Sequence, residues 1–395
     1  MKKNKYQNIA IVTHHCYPTD QEIRVTKFIK AFTKKGFFTT VYCLQKNDES
    51  SFKSESFEIF GKKSDNTSFI QRLIDSPLPI NFFWTFWLFR NFRKKETNVV
   101  IVRDLRLFIP AYFAGKLHGI KIILDIGEHY PGMVEVLGKQ KIAHYITRNI
   151  FLITLLEALS IYLADSVWVV AEENKKRLLK YNQSINVIGN SPIDDSWKRF
   201  PIIKPKEYMD NGEPFKLISF GLLDNIRGIE YAIDIVNELI KKLPNTVMII
   251  YGDGPFKKDL EQKVKKMELN YCIEFMGWTP GDKKYQSLQE GDLGILFHKV
   301  CNLTNHTIPN KLFDYMSMGL PVVSTNLMPI KRIIKKEKCG YIISNDLKIA
   351  TEQMIEIIID HKKRVSYSHN GRNAMLKGYK WSEDESNLLH YLDNL

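Results

Sequence analysis

The residues with the clearest chemical potential lie in the segment HKVCNLTNHTIPNKLFDYMSMGLPVVST, residues 298–325. Pro309 has no N–H and a fixed φ, so a helix is expected to begin near Pro309 and Asn310. The amides of that first turn, from Ile308 to Lys311, would point at an anion, and the Lys311 ammonium adds a full charge. Asp314, a turn further on, offers a carboxylate able to accept hydrogen bonds from two vicinal ribose hydroxyls. Gly319 ends the helix and residues 320–324 continue as a buried strand. Taken alone, an ordinary helix–strand unit with solvated polar positions explains the same residues.

A second segment shifts that balance. In FGLLDNIRGIE, residues 220–230, a strand ends at Gly221 and a helix opens at Arg227 and Gly228. The glycine permits close backbone approach, and Arg227 offers forked donors suited to phosphate oxygens. An arginine at a helix start opposes the helix dipole, which leaves an anionic ligand as its favourable partner. YGDGP, residues 251–255, again joins strand to helix through Gly252 and Gly254, although that pattern alone marks only a tight turn. His298 ends a strand, where it either lines the same pocket or serves as a structural histidine.

Positioning these groups requires strands that stop where the loops begin. Short β-branched runs alternate with amphipathic segments throughout, the pattern of parallel sheets covered by helices. Strands are expected at residues 9–12, 39–43, 99–102, 121–125, 167–170 and 186–188. A second set follows at 216–220, 247–251, 273–275, 294–297 and 322–324. Between the sets lie Pro192, Pro201, Pro205 and Pro214, and after Asp346 the chain should be helical to its end.

The expected fold is therefore α/β with two Rossmann-like domains facing each other across a cleft. A first domain spans 1–195, a linker 196–214 and a second domain 215–378. A terminal helix, 379–395, returns to the first. A chain of 395 residues suits two domains, because single cores usually stop growing by ~250–300 residues. Ligands of such sheets bind beyond the carboxyl ends of the strands.

Bulk composition excludes several classes. With 44% hydrophobic and 26% charged residues the chain is neither disordered nor collagenous. The net charge of +13 favours polyanionic surroundings: nucleic acid, an acidic bilayer or phosphorylated substrates. Dispersed lysines and the lack of a recognised binding module argue against nucleic acid. The five cysteines are odd in number and never spaced as CxxC, so neither a disulfide frame nor a zinc site is expected. No stretch reaches the ~18 apolar residues of a membrane span, and the amino-terminal apolar run is too short for a signal peptide. Residues 82–95, FFWTFWLFRNFRKK, mix aromatics with basic residues in a composition suited to a bilayer interface or to a core helix with a basic end. A cytoplasmic protein with peripheral contact at the inner membrane face is the expectation.

These segments resemble the GT-B superfamily of glycosyltransferases, in particular the family 4 retaining enzymes that use UDP- or GDP-sugars. The likeness covers nearly the whole chain and is strongest over residues 220–324. PNKLFDYMSMGLPVV is similar to that family's donor-binding signature, and FGLLDNIRG stands where its basic phosphate loop lies. YGDGP and FMGW match further landmarks. In the first half ILDIGEHYP resembles an Asp-x-His-Glu segment, while VWVVAEENKKRL and VIGNSP look like the close of the first domain.

The resemblance implies that Arg227 and Lys311 hold the diphosphate, Asp314 the ribose, and the backbone around Gly277 and Trp278 the base. It implies a lipid-linked or saccharide acceptor in cell-surface polysaccharide synthesis. The acceptor would meet the loop carrying Asp20 and Arg24, and Glu128 or His129 would act beside it. Three positions depart from the pattern. His306 stands where a sugar-contacting glutamate is usual, Leu222 replaces a second basic residue, and Gly127 replaces the histidine of the first-half motif. With no DxD-like motif, a metal cofactor is not expected, and the leaving phosphate itself would accept the acceptor's proton. A sugar-nucleotide 2-epimerase of the same fold and a non-catalytic partner subunit remain as alternatives.

Overall fold

The computed structural model describes residues 8–18, 22–45, 51–63, 78–138, 148–209, 212–279, 281 and 283–395. They form two compact units, Met1–Asn190 with Asp384–Leu395, and Ser191–Glu383. Each is built on its own sheet.

The first sheet holds β1 (Asn8–Val12), β2 (Phe38–Gln45), β3 (Ser51–Lys53), β4 (Phe57–Lys63), β5 (Val99–Val102), β6 (Lys121–Ile126), β7 (Ser166–Val169) and β8 (Ile185–Val187). Their order is β3-β4-β2-β1-β5-β6-β7-β8, parallel throughout except for β3 against β4. β5 and β7 are buried along their whole length, as strands covered on both faces must be, which is why they read as unbroken apolar runs. The helix Phe82–Lys94 divides its aromatics. Trp84, Leu88 and Phe92, four apart, enter the core, while Phe82, Phe83 and Phe86 are exposed.

The second sheet holds β9 (Phe215–Phe220), β10 (Thr246–Tyr251), β11 (Ile273–Gly277), β12 (Leu293–Leu296), β13 (Val322–Ser324) and β14 (Gly340–Ile342). All neighbours are parallel, in the order β11-β10-β9-β12-β13-β14. β9 is central, and the strand order reverses beside it: β10 lies on one side and β12 on the other. Such a switch point opens a crevice at the strands' carboxyl ends.

Every strand expected from the sequence is present within one or two residues, whereas β3, β4 and β14 were not expected. In β4 a buried Glu58 accepts a hydrogen bond from Thr40 Oγ1 at 3.1 Å and pairs with Lys95 at 2.7 Å, so an inward charge breaks the apolar alternation. β14 has three residues, too few to show a period. The stretch 196–214, expected as a linker, packs as part of the second unit. Trp197 is fully buried in that unit's core, and the Ile203 amide donates to the Met318 carbonyl at 2.8 Å. The terminal helix Trp381–Asp393 enters the first unit from Asp384 onward, where Asp384 Oδ1 accepts from the Gly189 amide at 3.0 Å.

Candidate anion-binding site

Three loops meet at the carboxyl ends of β9, β10 and β12, and glycines let them meet. Gly221 donates to the Tyr251 carbonyl at 2.8 Å, and Leu223 donates to the Asp253 carbonyl at 2.9 Å. A Cβ on Gly252 would lie 2.0 Å from the Gly221 carbonyl oxygen, and one on Gly254 would lie 2.3 Å from that of Leu223. Both contacts exclude a side chain. Asp224 then caps a single 3-10 turn, Asn225–Arg227, its carboxylate accepting from the Ile226 and Arg227 amides at 3.0 and 3.1 Å.

Gly228 follows with φ +66°, and a Cβ there would fall 1.7 Å from the Phe297 carbonyl oxygen. The close approach expected at this glycine is thus made by the end of the neighbouring strand. It presses the Arg227 turn against Phe297 and His298, and the Lys299 amide adds a hydrogen bond to the Ile226 carbonyl at 2.9 Å.

The helix Asn310–Met318 begins one residue after Pro309, which serves as its N-cap residue, and ends on Gly319 at φ +73°. At its start the Leu312 amide donates to the Pro309 carbonyl at 3.1 Å, and the amides before it come too early for i−4 partners within the helix. Buried Tyr315 fixes the helix in place: its hydroxyl accepts from the Phe220 amide at 3.0 Å and donates to the Ile295 carbonyl at 3.3 Å. Lys311 consequently lies over Gly221, its Nζ 3.8 Å from where a Cβ on that glycine would sit.

Positive charge gathers here without full compensation. Burial pushes the Lys311 ammonium down to about 7, and the Arg227 charge pushes the same way against the weaker pull of Asp224. His298 is 2% exposed, and its Nε2 has no hydrogen-bond partner among the described residues. Burial, followed by the charges of Lys311 and Arg227, holds the imidazole well below its ordinary range, so the ring is neutral. Among the described residues Asp224 is the one carboxylate paired with Arg227, at a long 3.4 Å. The arrangement fits a dianion of phosphate oxygens: two cations and a neutral imidazole lie close enough to act on one another, beside a helix start.

Other expected donor contacts are distributed around this point. Asp314 is 6% exposed, and its Oδ1 accepts from Lys284 Nζ at 2.7 Å and Tyr285 at 3.3 Å. Its Oδ1 is thus held by the helix Lys283–Leu288, and any ribose contact falls to the second oxygen. Gly277, at φ +77°, ends the edge strand β11, and Trp278 beyond it is 55% exposed. Ile308 and His306 are part-buried, with His306 Nδ1 against the Asn302 carbonyl at 2.7 Å, while Asn310 is exposed.

In the first unit the expected residues have other partners. Arg24, expected to touch an acceptor phosphate, is 4% exposed; its guanidinium takes Asp125 at 2.8 and 3.0 Å and donates to the Gly189 carbonyl at 2.7 Å. That network engages all three of its nitrogens. His129 caps the helix Tyr130–Leu137, its Nδ1 accepting from the Gly132 amide at 2.7 Å, so the ring is buried as a cap. Glu128 is exposed at the end of β6, and Asp20 lies outside the described residues.

Sequence reasoning missed Arg103, which pairs with Asp125 at 2.6 Å and Glu22 at 3.3 Å, as well as Lys284 and Tyr285. A charged residue inside the apolar run KIILDI was the available signal for the first. Among the described residues no group of three His, Cys, Asp or Glu is placed to hold a metal ion, and no helix is long and apolar enough to cross a membrane.

The loops, the cationic cluster and the switch point all lie within residues 214–360, the stretch that matches the family model for glycosyl transferases group 1. Over these residues the chain is similar to the glycosyl transferases group 1 family. Curated relatives include the UDP-glycosyltransferase TURAN of Arabidopsis thaliana, 30% identical over 112 residues, 28% of this chain and 24% of that protein. The sulfoquinovosyl transferase SQD2 of the same plant is 27% identical over 44% of this chain and 32% of its own. The putative colanic acid biosynthesis glycosyltransferase WcaL of Salmonella typhimurium is 27% identical over 42% of each. The chain thus spans less than half the length of these relatives.

Solved structures similar over nearly the whole length include sucrose-phosphate synthase from Thermosynechococcus elongatus, with a TM-score of 0.73 at 14% identity over 98% of both chains. The Anabaena protein HepE, in complex with UDP and glucose, gives 0.72 at 12% identity over 99% of this chain and all of its own. These likenesses establish the two-unit α/β architecture.

Proposed function

We propose that the protein is a retaining glycosyltransferase that moves a sugar from a UDP- or GDP-sugar to a lipid-linked or saccharide acceptor in the synthesis of a cell-surface glycan. The observation that carries this reading is the incompletely compensated positive cluster of Arg227 and Lys311 beside neutral His298 at the start of the helix Asn310–Met318. A diphosphate leaving group gains charge as the glycosidic bond breaks, and donors preset around that charge lower the barrier by about 3 kcal/mol each.

Retention is what the resemblance to family 4 implies, with the departing phosphate taking the acceptor's proton. Lys311 and Arg227 supply the positive charge, so the reaction proceeds without a metal ion and survives chelation by EDTA. Asp314, steadied by Lys284, meets the ribose through its second oxygen, and Trp278 borders the base. HepE, whose structure contains UDP and glucose, supports a uridine donor. The exposed rings of residues 82–95 contact the inner face of the cytoplasmic membrane, where a lipid-linked acceptor resides.

The test is calorimetric binding of UDP-, GDP-, ADP- and dTDP-sugars to the native chain and to Arg227→Ala and Lys311→Ala. One donor should bind, and each variant should lose most of that affinity while melting as the native protein does. Binding unaffected by either substitution would remove the reading, and epimerised donor appearing without acceptor would replace transfer by epimerisation.

A further inference from the structure

A helix that is apolar around its whole circumference belongs in a core or in lipid. Ile150–Leu163, IFLITLLEALSIYL, is such a helix. Its inner face packs into the first unit's core through Ile153, Leu156 and Ile161. Its single charged residue, Glu157, is turned inward and paired with Arg177 at 2.5 Å.

The outer face is open, although nothing polar beyond Thr154 interrupts it. Phe151, Leu155 and Tyr162 are 74%, 57% and 72% exposed, and Leu159 stands between them. The helix Lys257–Lys266 shows the usual alternative, with Lys258, Asp259, Glu261 and Lys265 covering its exposed side. The neighbouring helix Leu105–Lys116 packs against Ile150–Leu163, and Phe113 and Leu117 at its end extend the apolar surface.

Charge on the surrounding helices is mostly basic. Phe82–Lys94, which packs on Leu105–Lys116, contributes Arg90, Arg93 and Lys94 and no acid. Leu105–Lys116 adds Arg106, its Lys116 being paired with Asp165 at 2.7 Å, while Tyr130–Leu137 brings Glu135. An apolar face bordered by basic helices matches an anionic bilayer, whose acyl boundary takes the rings while its headgroups meet the arginines. At ~1.5 Å per residue the helix is ~21 Å long, too short for the ~30 Å hydrocarbon core, so it would lie in the interface plane.

We infer that the outer face of the helix Ile150–Leu163 is a membrane-docking surface for an anionic lipid bilayer. It does not depend on the donor site, draws on residues 82–95 for their charge alone, and one experiment separates all three. The full chain is sedimented with phosphatidylcholine vesicles, with and without phosphatidylglycerol. The native protein should bind the vesicles that contain phosphatidylglycerol. The double variant F151E/L155E should lose binding by about tenfold or more, with its melting temperature and sugar-nucleotide binding retained, and the milder Tyr162→Ser should lose less.

A parallel pair, F82E/F86E, reports on residues 82–95 alone. Native-like sedimentation of F151E/L155E would overturn the inference, as would loss confined to F82E/F86E. A native dimer that F151E/L155E splits into monomers, with neither form binding vesicles, would assign the face to a second copy of the chain and overturn it too.

Discussion

Charge is concentrated at the carboxyl ends of both sheets, but the two concentrations are resolved in opposite ways. In the first unit Arg24, Arg103, Asp125 and Glu22 form a closed set of two cations and two anions, with distances of 2.6 to 3.3 Å. Burial alone would raise the Asp125 carboxyl, yet Arg24 and Arg103 outweigh it and hold it below its ordinary value. In the second unit Arg227 and Lys311 face one another and a neutral imidazole, with Asp224 as their weak counterweight. A neutral set needs nothing further and serves the fold. An unbalanced set keeps a repulsion that only an incoming anion relieves, and so serves binding.

The largest effect should come from breaking the balanced set. Asp125→Asn leaves two buried guanidinium groups without their shared carboxylate, and a chemical-denaturation midpoint should report a loss of about 3–5 kcal/mol. Nucleotide affinity per folded molecule should persist. The contrast fails if the same substitution in the first unit abolishes binding without loss of stability.

Lys311→Ala should do the reverse. Transfer, measured as kcat/KM, should fall by about 10²–10³-fold, and the melting temperature should hold or rise because a like-charge contact disappears. A clear loss of stability would show that Lys311 serves the fold after all.

Smaller, and more specific, is the effect of pH. With Lys311 titrating near 7, the free site loses its proton as pH rises through that value, whereas the bound diphosphate retains it. Affinity should weaken by up to tenfold per pH unit above 7, and Lys311→Arg should flatten the profile. Stability should run the other way. A lysine depressed on folding penalises the native state fully below about 7, and the penalty fades towards the unfolded value near 10.4. The native protein should therefore gain on Lys311→Met in melting temperature across that window.

The smallest expected change is at Lys284. Its ammonium holds Asp314 at 2.7 Å but is a quarter exposed, so Lys284→Ala should raise the donor KM a few-fold with kcat nearly unchanged, and Lys284→Arg should restore it. A fall in kcat alone would remove its positioning role.

The unbalanced cluster was legible in the sequence because each member carries a local signal. Pro309 next to Asn310 and Lys311 marks a helix start, and Arg227 is anomalous at the opening of another. The balanced set had no such signal, since Arg24 and Asp125 lie 101 positions apart and meet only through the β1-β5-β6 order of the sheet. For the same reason Arg24 stood as an acceptor contact until the sheet supplied its partner. Asp314 was identified but its state was not, because Lys284 lies 30 positions away on a short helix with no apolar period. Strand existence followed from alternation and β-branching, and failed where Glu58 points inward along β4.

The place of β9 between β10 and β12 bears on how the chain is made. β9 and β10 follow one another closely during synthesis, but β9's other edge stays unpaired until β12 emerges, after two further helices and an edge strand. Gly228 finds the Phe297 carbonyl only at that moment, and Lys311 arrives later still. A nascent chain thus carries a bare central edge open to wrong pairing. Truncation anywhere before Leu293 should yield an aggregation-prone fragment with no grip on nucleotides, however complete its first two strands.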